Sequence, residues 1–118
     1  MFNFEKLETW HEAIAFADLV YQLTRSFPTE ERFGLTNQMR RAAVSISSNV
    51  AEGCSRASRA DYARFVEIAT GSVFEVVSQA TIGRNQGFLA EASYQQLYQA
   101  AEKQSRMLSG LRNSLISA

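Results

Sequence analysis

One histidine and one cysteine are all this chain offers of the side chains that most often hold metals or form a nucleophile–base pair. Ferritin-like di-metal bundles need a Glu-x-x-His pair on each of two helices. Glu8 and His11 supply one such spacing, and with no second histidine the pair reads as a solvated His11 beside a glutamate. Cys54 has no partner for an internal disulfide, which fits a reducing compartment. There is no Gly-rich phosphate loop, no GxSxG elbow and no paired cysteine–histidine spacing. Ser45, Ser47 and Ser48 are plentiful hydroxyls, but a nucleophile needs a positioned base and only Glu52 stands near. They read as helix-packing serines. No catalytic residue, metal ligand or cofactor is expected, and no enzyme.

Net charge is also missing. Twelve basic and twelve acidic residues cancel, so there is no general electrostatic pull toward nucleic acid or an anionic membrane, and any such binding must come from a local patch. No run of eighteen apolar residues occurs, and the start MFNFEKLETW has no signal-peptide core. A cytoplasmic protein with no membrane partner is expected. One proline and six glycines in 118 residues, with 46% hydrophobic content, describe a globular chain. One domain spanning residues 1–118, with one core, suits that length.

What the sequence does have is helical periodicity. A first helix is expected from about Thr9 to Ser26, with Thr9 and Glu12 ordered as a capping box. It carries two stripes, Trp10, Ile14, Ala17 and Tyr21 beside Ala13, Phe16, Val20, Leu23 and Phe27. Pro28 stops it, and Gly34 precedes a second helix from about Leu35 to Gly53. Ser58 and Asp61 offer a cap for a third helix, whose seam of Tyr62, Val66, Ala69, Val73, Val76, Ala80, Gly83 and Gly87 alternates fours and threes. Run to about Asn85, it is roughly 40 Å long at 1.5 Å per residue. A fourth helix shows the same alternation in Tyr94, Leu97, Ala101, Gln104, Leu108, Leu111 and Leu115, with Gln104 its only strongly polar member. A freestanding coiled coil would share these heptads, but breaks near Pro28, Gly53 and Gly87 fall where hairpin turns are needed. The fold class expected is all-α, an antiparallel up-and-down four-helix bundle. Phe65, Ile68, Phe74 and Val77 lie beside or off the third seam, an apolar surplus that self-association would explain, with Phe65 and Phe74 the candidate interface residues.

The second helix holds the most distinctive stretch, RRAAVSISSNVAEG from Arg40 to Gly53. Ala43, Ile46 and Val50 take one side at spacings of three and four, while Arg41, Ser45, Ser48, Asn49 and Glu52 gather on another. Charge is segregated as well. Five arginines between Arg40 and Arg64 face only Glu52 and Asp61, whereas residues 1–31 set Lys6 and Arg25 against six acids. Arginine outnumbers lysine ten to two, and its planar fork suits phosphate and carboxylate alike. Arg56 and Arg59 are therefore candidate nucleic-acid contacts, or else pair with the acidic first helix within or between subunits. A patch neutralising about three or four phosphates would lose roughly a hundredfold in affinity between 50 and 200 mM salt.

The order FPTEERFGLTNQMRRAAVSISSNVAEG, followed by RASRADYARFVEIATGSVFEV, resembles the four-helix-bundle family of proteins encoded in intervening sequences of bacterial 23S ribosomal RNA genes. The likeness runs from Leu7 to Leu115. It rests on Phe27, Pro28, Glu31 and Leu35, on Gln38, Arg41, Ala42, Ser45, Ile46, Asn49, Val50, Ala51, Glu52 and Gly53, and on Ala69, Gly71 and Ser72. Where that family often has a proline after Ser-Ile this chain has Ser47, so the kink in the second helix is expected to be reduced or absent. The resemblance implies a homo-oligomer, commonly a ring-like pentamer, as partner. Through related accessory proteins of retroelements, it also implies RNA or an RNA-associated protein as a further partner. Those relatives are strongly basic, unlike this chain. Arg41, Ser45, Asn49 and Glu52 are expected to form a buried or interfacial polar network, because an unsatisfied buried polar group costs about 1–3 kcal/mol.

Overall fold

The computed structural model describes residues 1–117; Ala118, the last position of the expected single domain, lies outside the described residues. Four helices are joined by short turns: α1 (Glu8–Thr24), α2 (Leu35–Gly53), α3 (Arg59–Asn85) and α4 (Glu91–Ile116). Each packs on the next and α1 closes against α4, which makes an antiparallel up-and-down bundle. The longest dimension is 46 Å and the other two are 22 and 21 Å, so the 27-residue α3 sets the height.

The seams lie where periodicity put them. Val66, Ala69, Val73, Val76 and Ala80 of α3 are buried against Leu97, Ala101, Gln104 and Leu108 of α4, Ala43, Ile46 and Val50 of α2, and Ala13, Phe16 and Val20 of α1. The seam is flanked by further buried residues, Ala63 on one side and Ser72 and Gln79 on the other. Gly83 is buried under Phe27, whose ring would stand 3.1 Å from an added Cβ, and Phe27 in turn packs on Phe88 with ring centres 5.8 Å apart. Val77, expected off the seam, is half-buried against the core. α2 runs unbroken through Ser47, whose hydroxyl donates to the Val44 carbonyl at 3.2 Å.

The ends differ from the expectation in instructive ways. α1 begins at Glu8 and ends at Thr24, and its N-cap is Leu7, with no side-chain cap. Thr9 and Glu12 therefore do not form the expected capping box. A 3₁₀ turn at Asn3–Lys6 precedes the helix, its Phe4 ring packs on Trp10 at 4.9 Å, and Glu12 instead meets Lys103 of α4 at 3.2 Å. The entry is set by aromatic packing, which a one-turn hydrogen-bond pattern cannot register. α2 is capped from outside: Glu31 Oε1 accepts from the Leu35 amide at 3.1 Å. At α3 the expected cap does form, the Ser58 hydroxyl accepting from the Asp61 amide at 3.1 Å. Gly87 lies past the end of α3, exposed, with φ +81°, so it is not part of the seam. Phe88 N donates to Gly83 O at 2.9 Å and Gly87 N to Arg84 O at 3.0 Å, the paired bonds of a Schellman ending that favours glycine at this position.

Candidate functional site

The polar face of α2 meets α3 through short side chains. Ser45 Oγ and Ser72 Oγ are 2.6 Å apart, and Asn49 Nδ2 donates to the Ser45 carbonyl at 2.8 Å and to its hydroxyl at 3.3 Å. The Ser72 hydroxyl also lies 3.3 Å from the Ile68 carbonyl. Hydroxyls this short let the two backbones approach closely while each polar group keeps a partner. The hydrogen-bond partners of the Ser45 hydroxyl are another hydroxyl and an amide, so the cluster ties the two helices together. Two members of the expected network stand apart from it. Glu52 is exposed and pairs with Arg56 one turn on, at 3.0 Å. Arg41 is exposed and lines the grooves on either side of α2. Ser72 completes the tie instead; it was visible in the Ala69, Gly71 and Ser72 segment of the sequence but carried no spacing that linked it to Ser45.

At the bundle end the two candidate phosphate contacts are engaged internally. Arg56 adds to its Glu52 pair a position over the Phe65 ring, 4.5 Å from the centre. Arg59 donates through Nε to the Leu115 carbonyl at 3.1 Å and through Nη2 to the Ser114 carbonyl. The carbonyls of a helix's last turn lack intrahelical donors and carry partial negative charge, which is why a guanidinium settles there. Close by, the Tyr62 hydroxyl meets Cys54 Sγ at 3.0 Å. Burial, and then that hydrogen bond and the thiol's potential charge, push the Tyr62 phenol well above the usual tyrosine range. His11 sits at the N-terminal turn with Nε2 2.7 Å from the Glu5 carbonyl and its ring against Trp10. Among the described residues no three His, Cys, Asp or Glu side chains gather to hold a metal.

The two candidate interface phenylalanines lie on different sides of α3. Nine positions separate them, which is half a turn in excess at 100° per residue. Phe65 is half-buried toward α2, its Cβ 3.1 Å from where a side chain at Gly53 would begin. Phe74 is 65% exposed and lines an outward groove of about 410 Å³ between α3 and α4, with Val73, Val77, Tyr98 and Ala101. A second groove, about 700 Å³, runs between α1 and α2 past Tyr21, Phe33, Thr36 and Arg41.

Residues 5–110 match the family described as 23S rRNA-intervening sequence protein. The chain belongs to that family. A solved structure from Bacteroides thetaiotaomicron, a protein of unknown function from the S23 ribosomal protein family, is similar over 89% of this chain and 95% of its own. Its TM-score is 0.82 at 19% identity, a likeness of fold. No curated protein matches the chain. Among the described residues of this 23S rRNA-intervening sequence family member, no helix is long and apolar enough to cross a membrane.

Proposed function

We propose that this family member is a non-enzymatic, homo-oligomeric bundle, pentameric in solution, that serves as a protein interaction module in the bacterial cytoplasm. One observation carries the proposal: α3 is apolar on more sides than its own bundle covers. Phe74 is 65% exposed, Ile82 50% and Ile68 46%, with Tyr98 of α4 beside Phe74. Fully burying one such side chain is worth about 1.5–3 kcal/mol, so copies that cover these residues gain more than any rim ion pair offers. The reading draws on the α3–α4 groove and not on Arg56 and Arg59, whose guanidiniums are already held by Glu52, Phe65 and the end of α4.

Light scattering on the full chain tests it. The expected mass is five times the 13.2 kDa subunit, and Phe74→Asp, which places a charge in the groove, is expected to shift the species to lower mass with its helical spectrum intact. A wild-type chain that stays at 13.2 kDa across micromolar concentrations would overturn it.

A further inference from the structure

α3 carries a second heptad row on its outer side. Ile68, Gly71, Glu75, Ser78 and Ile82 alternate threes and fours, and all five are exposed. Each stands two positions on from a member of the buried row Val66, Ala69, Val73, Val76 and Ala80, about 200° around the helix. A helix packed only on its own bundle needs one such row.

Gly71 lies in this row and near the middle of the 27-residue helix. Glycine is the poorest helix former after proline, so its place in a helix interior calls for a packing reason, such as the close approach of another backbone. Nothing within the chain uses the space: a Cβ added at Gly71 would meet no atom within 4 Å. At Gly53 and Gly83, by contrast, it would stand 2.9 Å from Tyr62 and 3.1 Å from Phe27. Three and four positions from Gly71 are Glu67, Ile68, Phe74 and Glu75, with Ile68 46% and Phe74 65% exposed. Gly110 of α4 is equally open, but its neighbours at that spacing are Arg106, Met107, Asn113 and Ser114, and no exposed apolar row frames it.

We propose, on the self-association already assigned to this chain, that a helix of the neighbouring copy crosses α3 at Gly71, its backbone seated where a side chain would otherwise stand. Threes and fours are the repeat of helix against helix, and Ile68 and Phe74 wall the notch at the glycine on either side along α3. A copy supplies such a rod, because the flanks of the bundle are its four helices. It also supplies complementary charge. Glu67 is held by Arg112, but among the described residues Glu75 meets no cation within 4 Å, and a copy brings Arg64 and Arg106, which meet no acid.

Sedimentation equilibrium of the full chain over a range of concentrations tests the crossing, with Gly71→Ala set beside the wild type and Gly110→Ala. Each substitution removes a helix-interior glycine without touching its own bundle. Each should therefore raise the thermal midpoint of the dissociated chain, measured in the Phe74→Asp background, by about 4 °C. Only Gly71→Ala should also weaken association, raising the dissociation constant about tenfold, because the added methyl overpacks the crossing. Stability and association then move in opposite directions at one position, which damage to the fold cannot produce. Three results would overturn the crossing: Gly71→Ala associating as tightly as the wild type or more tightly; Gly110→Ala weakening association equally; or a lower midpoint for Gly71→Ala in the Phe74→Asp background. A wild-type chain that never associates overturns the self-association and the crossing together, whereas an oligomer indifferent to Gly71→Ala overturns the crossing alone.

Discussion

Replacing Gln104 by methionine should stabilise the bundle, although it removes a hydrogen bond between helices. Gln104 is the polar interruption in the α4 seam and is completely buried. Its amide nitrogen reaches the Thr9 carbonyl of α1 at a long 3.4 Å, and its carbonyl oxygen has no partner among the described residues. An orphaned buried carbonyl costs about 1–3 kcal/mol, whereas a typical hydrogen bond contributes about 0.5–1.5 kcal/mol and a stretched one sits at the low end. Methionine follows the same unbranched path with apolar atoms, so packing changes little. The balance is a gain of about 1 kcal/mol. With a urea slope of roughly 1–3 kcal/mol/M, the unfolding midpoint should rise by about 0.5 M. Both proteins must be compared at one concentration, because self-association adds its own stabilisation. Gln104→Ala serves as the control for volume and should lose about 2 kcal/mol or more through the cavity it leaves. The reasoning fails if Gln104→Met is destabilised by about 1 kcal/mol or more; the hydrogen bond from the Gln104 amide to Thr9 would then outweigh the penalty of the unpaired carbonyl.

Two further outcomes follow from the same bundle. Ser58→Ala removes the side-chain acceptor for the Asp61 amide and should cost about 1 kcal/mol in thermal unfolding, while Ser58→Asp should keep most of that stability. Tyr62 supplies a pH dependence: its phenol is raised above its ordinary value of 10.0, mainly by burial, so the folded state favours the protonated form. That contribution is complete below pH 10 and is lost as pH climbs toward the raised value, because the unfolded tyrosine ionises first. Urea midpoints measured across the alkaline range should fall more steeply for the wild type than for Tyr62→Phe; parallel curves would mean the phenol is not held neutral.

How much was legible differs from element to element. Val66, Ala69, Val73, Val76 and Ala80 announced themselves by spacing and are all buried, as are Leu97, Ala101, Gln104 and Leu108. Ser58 and Asp61 announced the start of α3 because a cap is a contact between residues three apart. Thr9 and Glu12 carried the same local pattern and did not cap, since Phe4 and Trp10 set the entry to α1 by packing. The polar network was legible only in half: Ser45 and Asn49 are one turn apart on α2, but their partner Ser72 lies on α3, 27 positions from Ser45. Arg59 shows the same limit, because the carbonyls it binds in α4 lie more than fifty positions away along the chain.

The sequence by itself determined the helices, their breaks and the central stripe each buries, because a helix's faces follow from a period of 3.6 residues and need no knowledge of a partner; it did not show that Ile14 and Tyr21, in the neighbouring stripe of α1, stay exposed. Only the tertiary structure decided which charges stay free. Arg56 and Arg59 lie in the basic segment that composition singled out, and both are neutralised or capped by neighbours. Arg32 and Arg41 instead line an acid-free groove beside an exposed Phe33. Arg56 meets Glu52 four positions back, a pairing local to the sequence, but Arg59 meets α4 carbonyls more than fifty positions away, and that proximity exists only once the bundle has closed.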